Sequence, residues 1–145
     1  MPTTFQNDTQ SCLLKGTLVS TPSGYRKIEA LKEGDPLFNQ TNDEILVEKI
    51  LCNTYTFRDD NSFNIVYKIP KGSEGNSSDV YLTRGHRVIR KSGNSVLPEK
   101  LGYLPAKYSE VFDEFGNYTV YHVRVKDGVN NHIVVNGGCI VESWR

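Results

Sequence analysis

Cysteine is scarce in this chain: three residues, Cys12, Cys52 and Cys139, in 145. That count is too small for a disulfide framework, and being odd it leaves at least one thiol free. No close pair of cysteines has the spacing of a zinc site. Long apolar runs are missing too, so no segment reads as a membrane-spanning helix. Acids and bases balance at 17 each, for a formal net charge of zero. That argues against nucleic acid or an anionic membrane as the main partner. The densest basic stretch, Arg84 to Lys91, is interrupted by Val88 and Ile89 and reads as a solvated hairpin face. The start, Met1-Pro-Thr-Thr-Phe-Gln-Asn-Asp8, lacks the basic-then-apolar pattern of a secretory signal. The expectation is an intracellular monomer with no membrane and no nucleic-acid partner. The sequons at Asn7, Asn39, Asn76 and Asn117 carry little weight in a chain rich in Asn, Ser and Thr. Internal repeats and low-complexity tracts are absent.

What remains is a succession of short β-type runs between turn signals. Residues 1–11 are polar and aperiodic and read as an extended arm. One domain over 12–145 follows, a length that buries enough apolar surface to fold without staples. Strands are expected at Thr17–Thr21, Tyr25–Ile28, Pro36–Asn39, Glu44–Thr56, Phe63–Ile69 and Val80–Thr83. More follow at Arg87–Arg90, Ser95–Leu97, Tyr118–Val125, His132–Val135 and Cys139–Val141. Glu29–Gly34 reads as one helical turn closed by glycine. Lys71 to Ser78, following Pro70, reads as a loop, and Ser92-Gly-Asn94 as a hairpin turn. Asn136-Gly137 carries the signal of a two-residue type I′ turn. In Ile45–Leu51 the alternation is imperfect: Ile45, Val47 and Lys49 fall on one face, Leu46, Glu48 and Ile50 on the other. Many short strands and almost no amphipathic helix predict an all-β domain.

Three blocks carry chemistry. The first opens at Cys12 and runs Cys-Leu-Leu-Lys-Gly-Thr-Leu-Val to Lys32-Glu-Gly-Asp35. The second is Leu82-Thr83-Arg-Gly-His86-Arg-Val-Ile89. The third comprises Val120-Tyr-His122-Val-Arg-Val125, Asn131-His-Ile-Val-Val-Asn-Gly137 and Val141-Glu-Ser-Trp144. In this order and spacing they resemble the Hedgehog/intein (Hint) family of self-cleaving domains over nearly the whole chain. The resemblance implies a compact pseudo-two-fold all-β fold. It also implies a substrate within the chain itself, the Ser11–Cys12 peptide bond and the flank before it. The Tyr-His pair at 121–122 looks most like the non-splicing relatives.

Moving an acyl group from a backbone nitrogen to a neighbouring sulfur needs four things. They are an adjacent thiol, a group to take its proton, a holder for the oxyanion, and a group to protonate the departing nitrogen. Cys12 supplies the thiol, placed by the backbone. The resemblance gives His86 a hydrogen bond to the scissile amide and gives Thr83 support of the same amide. His122 stands where inteins often carry Asp or Cys, and is suited to accept the Cys12 proton. The product is a thioester on Cys12, resolved by water, a thiol or an amine. No metal and no organic cofactor is implied.

Departures from the family bound the outcome. Splicing inteins end in His-Asn before a nucleophile, and the Asn cyclises. Here the end reads Val-Glu-Ser-Trp-Arg145, so cleavage or ligation is expected and splicing is not. Hedgehog proteins place Gly before the cysteine and add a sterol-recruiting segment, whereas this chain has Ser11 and stops earlier. Phe57-Arg-Asp59-Asp60 lies roughly where Hedgehog domains keep an activating aspartate. Cys52, Cys139 and His132 read as structural, and Asn136 as a turn residue. Two rival readings remain: a Hint fold without chemistry serving as an interaction module, and a cysteine hydrolase acting in trans through Cys12 and a histidine.

Overall fold

The computed structural model describes residues 11–56 and 65–143. The described chain is almost entirely β. Its strands are β1 (Leu13–Leu14), β2 (Leu18–Thr21), β3 (Gly24–Lys27), β4 (Pro36–Phe38), β5 (Glu44–Thr56), β6 (Val66–Ile69) and β7 (Val80–Thr83). After them come β8 (Val88–Ile89), β9 (Ser95–Val96), β10 (Leu104–Pro105), β11 (Asn117–Val125), β12 (Ile133–Val135) and β13 (Cys139–Val141). A four-residue helix, α1 (Tyr108–Val111), precedes β11. Ile28–Ala30 and Pro98–Leu101 form short 3-10 turns. The helical turn expected over Glu29–Gly34 thus begins and ends earlier, and Gly34 closes the loop that follows at a positive φ of 90°. Among the described residues no helix is long and apolar enough to cross a membrane.

The strands form two sheets, ordered β10-β6-β7-β1-β11-β5-β4 and β3-β2-β12-β13-β8-β9. All pairings are antiparallel. One continuous core holds Leu13, Val19, Ile28, Leu37, Ile69, Val80, Leu82, Val88, Val125, Ile133, Val135 and Val141. A smaller cluster on the other side of the larger sheet holds Cys12, Val66, Tyr118 and Val120.

The broken alternation in β5 has a physical cause. Arg124 pairs with Lys49 while Val125 pairs with Val47, so Glu48 is an extra residue in β5. This β-bulge shifts the side-chain parity. Ile45 and Val47 point into the core before it, and Ile50 packs against the core after it. The turn between β12 and β13 corrects another expectation. Val135 pairs with Cys139, which leaves three residues in the loop. Asn136 and Gly137 still take the positive φ expected of them, 48° and 91°. The added Gly138 lets the loop touch the β6–β7 connection: a Cβ there would come within 2.5 Å of the Gly75 carbonyl.

The expected strands lack β10 and, with more consequence, β1. It has two residues, yet it sits in the middle of the seven-stranded sheet, between β7 and β11. Its register, Leu13 opposite Tyr121 on one side and Leu82 on the other, places the site.

Candidate active site

Cys12 lies one residue before β1. Continuing the pairing of Leu13 with Tyr121 and Leu14 with Val120 sets Cys12 across from His122. On β11 successive side chains alternate faces. Tyr118, Val120 and His122 share one face and are all buried. Tyr118 and Val120 belong to the cluster that contains Cys12, so His122 is carried to the thiol by the strand's own period. The result is a 3.7 Å contact between Cys12 Sγ and His122 Nδ1, within reach of a thiol hydrogen bond.

Thr83 grips Cys12 from the opposite strand. Its Oγ1 accepts from the Cys12 N–H at 3.1 Å. Its own N–H donates to the Cys12 carbonyl at 3.0 Å, and its hydroxyl reaches the same carbonyl at 3.4 Å. The nitrogen of the Ser11–Cys12 bond is therefore held in a fixed plane by a strand end. Thr83 closes β7 on the face that Tyr81 also uses, while Val80 and Leu82 fill the main core.

His86 follows on a turn, with its N–H bonded to the Thr83 carbonyl at 2.9 Å. Its ring is 2 % exposed, and Nε2 lies 2.7 Å from the Glu142 carbonyl. A carbonyl only accepts, so Nε2 carries a proton. In the neutral ring Nδ1 is then a bare lone pair, and it makes no hydrogen bond among the described residues. The family resemblance assigns His86 to the scissile amide, but the bond from Cys12 N–H runs to Thr83. The Cys12 backbone nonetheless favours the protonated form of His86.

Burial controls the resting charges. It pushes the Cys12 thiol well above the usual cysteine range. It also lowers His122 to about 4, with repulsion from His86 as a second cause. His86 is lowered by burial first, against the pull of Glu142. Desolvation disfavours every charged form here, so the thiol and both rings rest neutral. The Ser11 backbone acts on His122 in the other direction, favouring its protonated form. A backbone group with that effect is a carbonyl, which is the group that would become the oxyanion.

Sequence reasoning missed Glu142. It is 8 % exposed, directly after β13. Its N–H donates to the Arg87 carbonyl at 3.1 Å. Its Oε1 accepts from the Arg87 N–H at 3.2 Å and from the Ser11 hydroxyl at 2.8 Å. The available signal was weak: an acidic residue adjoining a strand whose ends, Cys139 and Val141, are buried.

The remaining candidates lie elsewhere. His132 opens the approach to β12, its N–H bonded to Gln40 at 2.9 Å. Asn136 is locked in its turn, accepting from Leu18 N–H at 2.8 Å and donating to the Asp79 carbonyl at 2.8 Å. Cys52 is half-buried on β5 opposite Tyr121, and Cys139 is buried in the main core; both are free thiols. Burial raises Cys139 to about 12. Asp59 and Asp60 lie outside the described residues. No group of His, Cys, Asp and Glu among the described residues is arranged to hold a metal ion.

A family model described as a Hint domain matches residues 11–144. The chain belongs to the Hint domain family. Solved structures show the same fold. The chain is similar to a DnaB intein from Synechocystis sp. PCC 6803, with TM-score 0.62 and 15 % identity, covering 93 % of this chain and 100 % of that one. It is also similar to a bacterial intein-like domain from Clostridium thermocellum, with TM-score 0.60 and 19 % identity over 91 % of this chain and 98 % of that one. The gp41-1 intein aligns with TM-score 0.58 and 15 % identity over 92 % and 98 %. No curated protein sequence matches the chain. At such identities the likeness is one of fold, and it identifies this all-β architecture as the Hint fold.

Proposed function

We propose that this Hint domain catalyses an N–S acyl shift at its own Ser11–Cys12 bond, and that the outcome is cleavage or ligation of the upstream flank. One observation carries the reading. The Cys12 nitrogen is held by Thr83 at 3.1 Å while the thiol of the same residue meets His122 at 3.7 Å.

The steps follow from those positions. Cys12 Sγ attacks the Ser11 carbonyl carbon, forming the S–C bond as the thiol proton passes to His122 Nδ1. A preformed thiolate is not needed, since burial keeps the thiol protonated until attack begins. The imidazolium that forms faces the Ser11 carbonyl and steadies the oxyanion. Collapse breaks the C–N bond, and the Cys12 nitrogen leaves as an amine after gaining a proton. That proton is the one His122 took from the thiol: it passes to the nitrogen through the His86 Nδ1 lone pair, which takes it up and gives it on while Nε2 stays bonded to the Glu142 carbonyl. In net terms the thiol proton ends on the amine. Water, a small thiol or an amine then takes the acyl group from sulfur. Thr83 keeps the departing nitrogen from rotating away.

Splicing needs a second, downstream cleavage by a cyclising asparagine amide. Asn136 has both ends of its amide bonded within a turn. The residue against His86 is Glu142, which has no side-chain amide nitrogen to cyclise onto its own peptide bond. A second reading, a Hint fold retained as an interaction module without chemistry, draws on the burial of Cys12 at 1 % exposure.

The full chain with a reporter appended after Arg145 tests both. With dithiothreitol, residues 1–11 should leave while the reporter stays attached. Joining of the upstream peptide to the reporter would contradict the cleavage reading, and no release under any thiol would favour the inert module.

A further inference from the structure

Glu142 has no part in the steps above beyond its backbone carbonyl, yet its carboxylate accepts a hydrogen bond from the side chain of Ser11, the described residue of the upstream flank. That carboxylate is nearly buried, and a buried carboxylate needs hydrogen-bond donors. Two of its donors define the site. The Arg87 N–H is supplied by the fold and is always present. The Ser11 hydroxyl, at 2.8 Å, is supplied by the acyl half of the scissile bond. The carboxylate cannot swing away readily. Glu142 and Arg87 are tied by their backbones, Glu142 N–H to Arg87 carbonyl at 3.1 Å, and the Glu142 carbonyl is held by His86 at 2.7 Å. A fixed acceptor therefore stands at the position where the side chain before Cys12 must sit.

We propose that Glu142 is the specificity-determining residue for the upstream side of the bond. It selects chains whose residue 11 carries a small, neutral hydrogen-bond donor such as serine or threonine, and it disfavours apolar or acidic residues there. The inference rests on the acyl-shift reading and deepens it by naming the substrate class. Binding the Ser11 side chain also orients the Ser11 carbonyl toward Cys12 and His122. An apolar residue forfeits the 2.8 Å bond that positions residue 11, and an acidic one sets a second carboxylate against the first.

The test uses the full 145-residue chain and measures thiol-induced loss of residues 1–11 by intact mass. Position 11 is varied as Ser11→Thr, Ser11→Ala and Ser11→Asp, each with Glu142 and with Glu142→Gln. Ser11→Thr should react within about threefold of the parent. Ser11→Ala should be slower by roughly tenfold or more, the usual worth of a charge-assisted hydrogen bond. Ser11→Asp should be slower by about a hundredfold, from like-charge repulsion in a desolvated site. In Glu142→Gln the charge is gone and the shape is kept, so the Asp deficit should shrink by roughly tenfold. A merely structural Glu142 would slow every position-11 variant by the same factor, and that result would overturn the selection. So would equal rates for Ser11 and Ser11→Ala in the parent, a comparison that holds even if Glu142→Gln folds poorly. If no chain releases the flank, the acyl shift and the selection both fall; release that ignores position 11 refutes the selection alone.

Discussion

Two sets of buried polar side chains in this molecule have opposite characters. Asn39, Asn76 and Asn136 are each nearly inaccessible, and each has both its amide oxygen and its amide nitrogen hydrogen-bonded. Asn76 donates to the Ile69, Pro70 and Ser78 carbonyls and accepts from Glu74 N–H. Asn39 accepts from Thr41 and Asp43 and donates to Asn131. Asn136 ties β2 to the end of the β6–β7 loop. At the other site Cys12, His86 and His122 are as deeply buried but are left poised. The thiol has a long contact to a ring nitrogen, His86 Nδ1 lacks a hydrogen bond, and both rings are forced neutral. A buried amide bonded at both ends stiffens a turn. A buried imidazole with a lone pair to spare costs stability and is ready to take a proton, which is the pattern expected of groups that act.

The sharpest way to break this contrast is to truncate the rings. His86→Ala and His122→Ala should each slow thiol-induced release by roughly a hundredfold or more, as loss of a general acid or base does. Neither should unfold the domain, since each ring has few bonds to lose; near-ultraviolet circular dichroism and release kinetics on the same samples check both halves. Wild-type rates in His86→Ala would show that the second block resembles its family by coincidence.

Acid should separate the two sets as well. Both rings titrate below the free-histidine value near 6.5, with His122 at about 4. Below pH 6.5 the unfolded chain binds protons that the native rings refuse, so stability present at neutral pH is lost as pH falls toward 4. His122 alone accounts for about 3 kcal/mol of that loss. Urea titrations at pH 7, 5.5 and 4.5 should show it, and His122→Gln should flatten the dependence. A stability independent of pH across that window would mean the rings are not desolvated.

Asn136→Ala should lower stability by about 2 kcal/mol, because it strands the Leu18 N–H and gives up a donor bond. Release per folded molecule should stay near the parent rate. An equal loss of rate and stability would place Asn136 in the chemistry. The smallest effect is expected at Cys52→Ala. That thiol is half-buried away from Cys12, and the change should move stability by less than about 1 kcal/mol and leave release unaffected.

Much of this arrangement can be read from particular residues. The turns at Ser92–Asn94 and Asn136-Gly137 announce hairpins through the positive φ they require, and the apolar alternation of Tyr118–Val125 marks the strand that carries His122. Cys12, Thr83, His86 and His122 are legible because their blocks recur in order. Other features left no local trace. β1 is central yet has two residues, Leu13 and Leu14, too few to show a period. The bulge at Glu48 shows only as a flawed alternation, whose cause is the partner strand. Glu142 is hidden because nothing in a single acidic residue tells that its strand brings it against residue 11, distant in sequence. Three-residue loop length at 136–138 depends on the register of β12 against β13, and the Asn-Gly pair alone suggests two.

The most direct measurement is intact mass of the wild-type chain and of Cys12→Ala, each incubated with hydroxylamine. The wild-type chain should yield residues 1–11 ending in a hydroxamate on Ser11 and a partner beginning at Cys12, while Cys12→Ala stays whole. Cleavage of Cys12→Ala at the same bond, or a hydroxamate at any other residue, would contradict the assignment of Cys12 as the nucleophile.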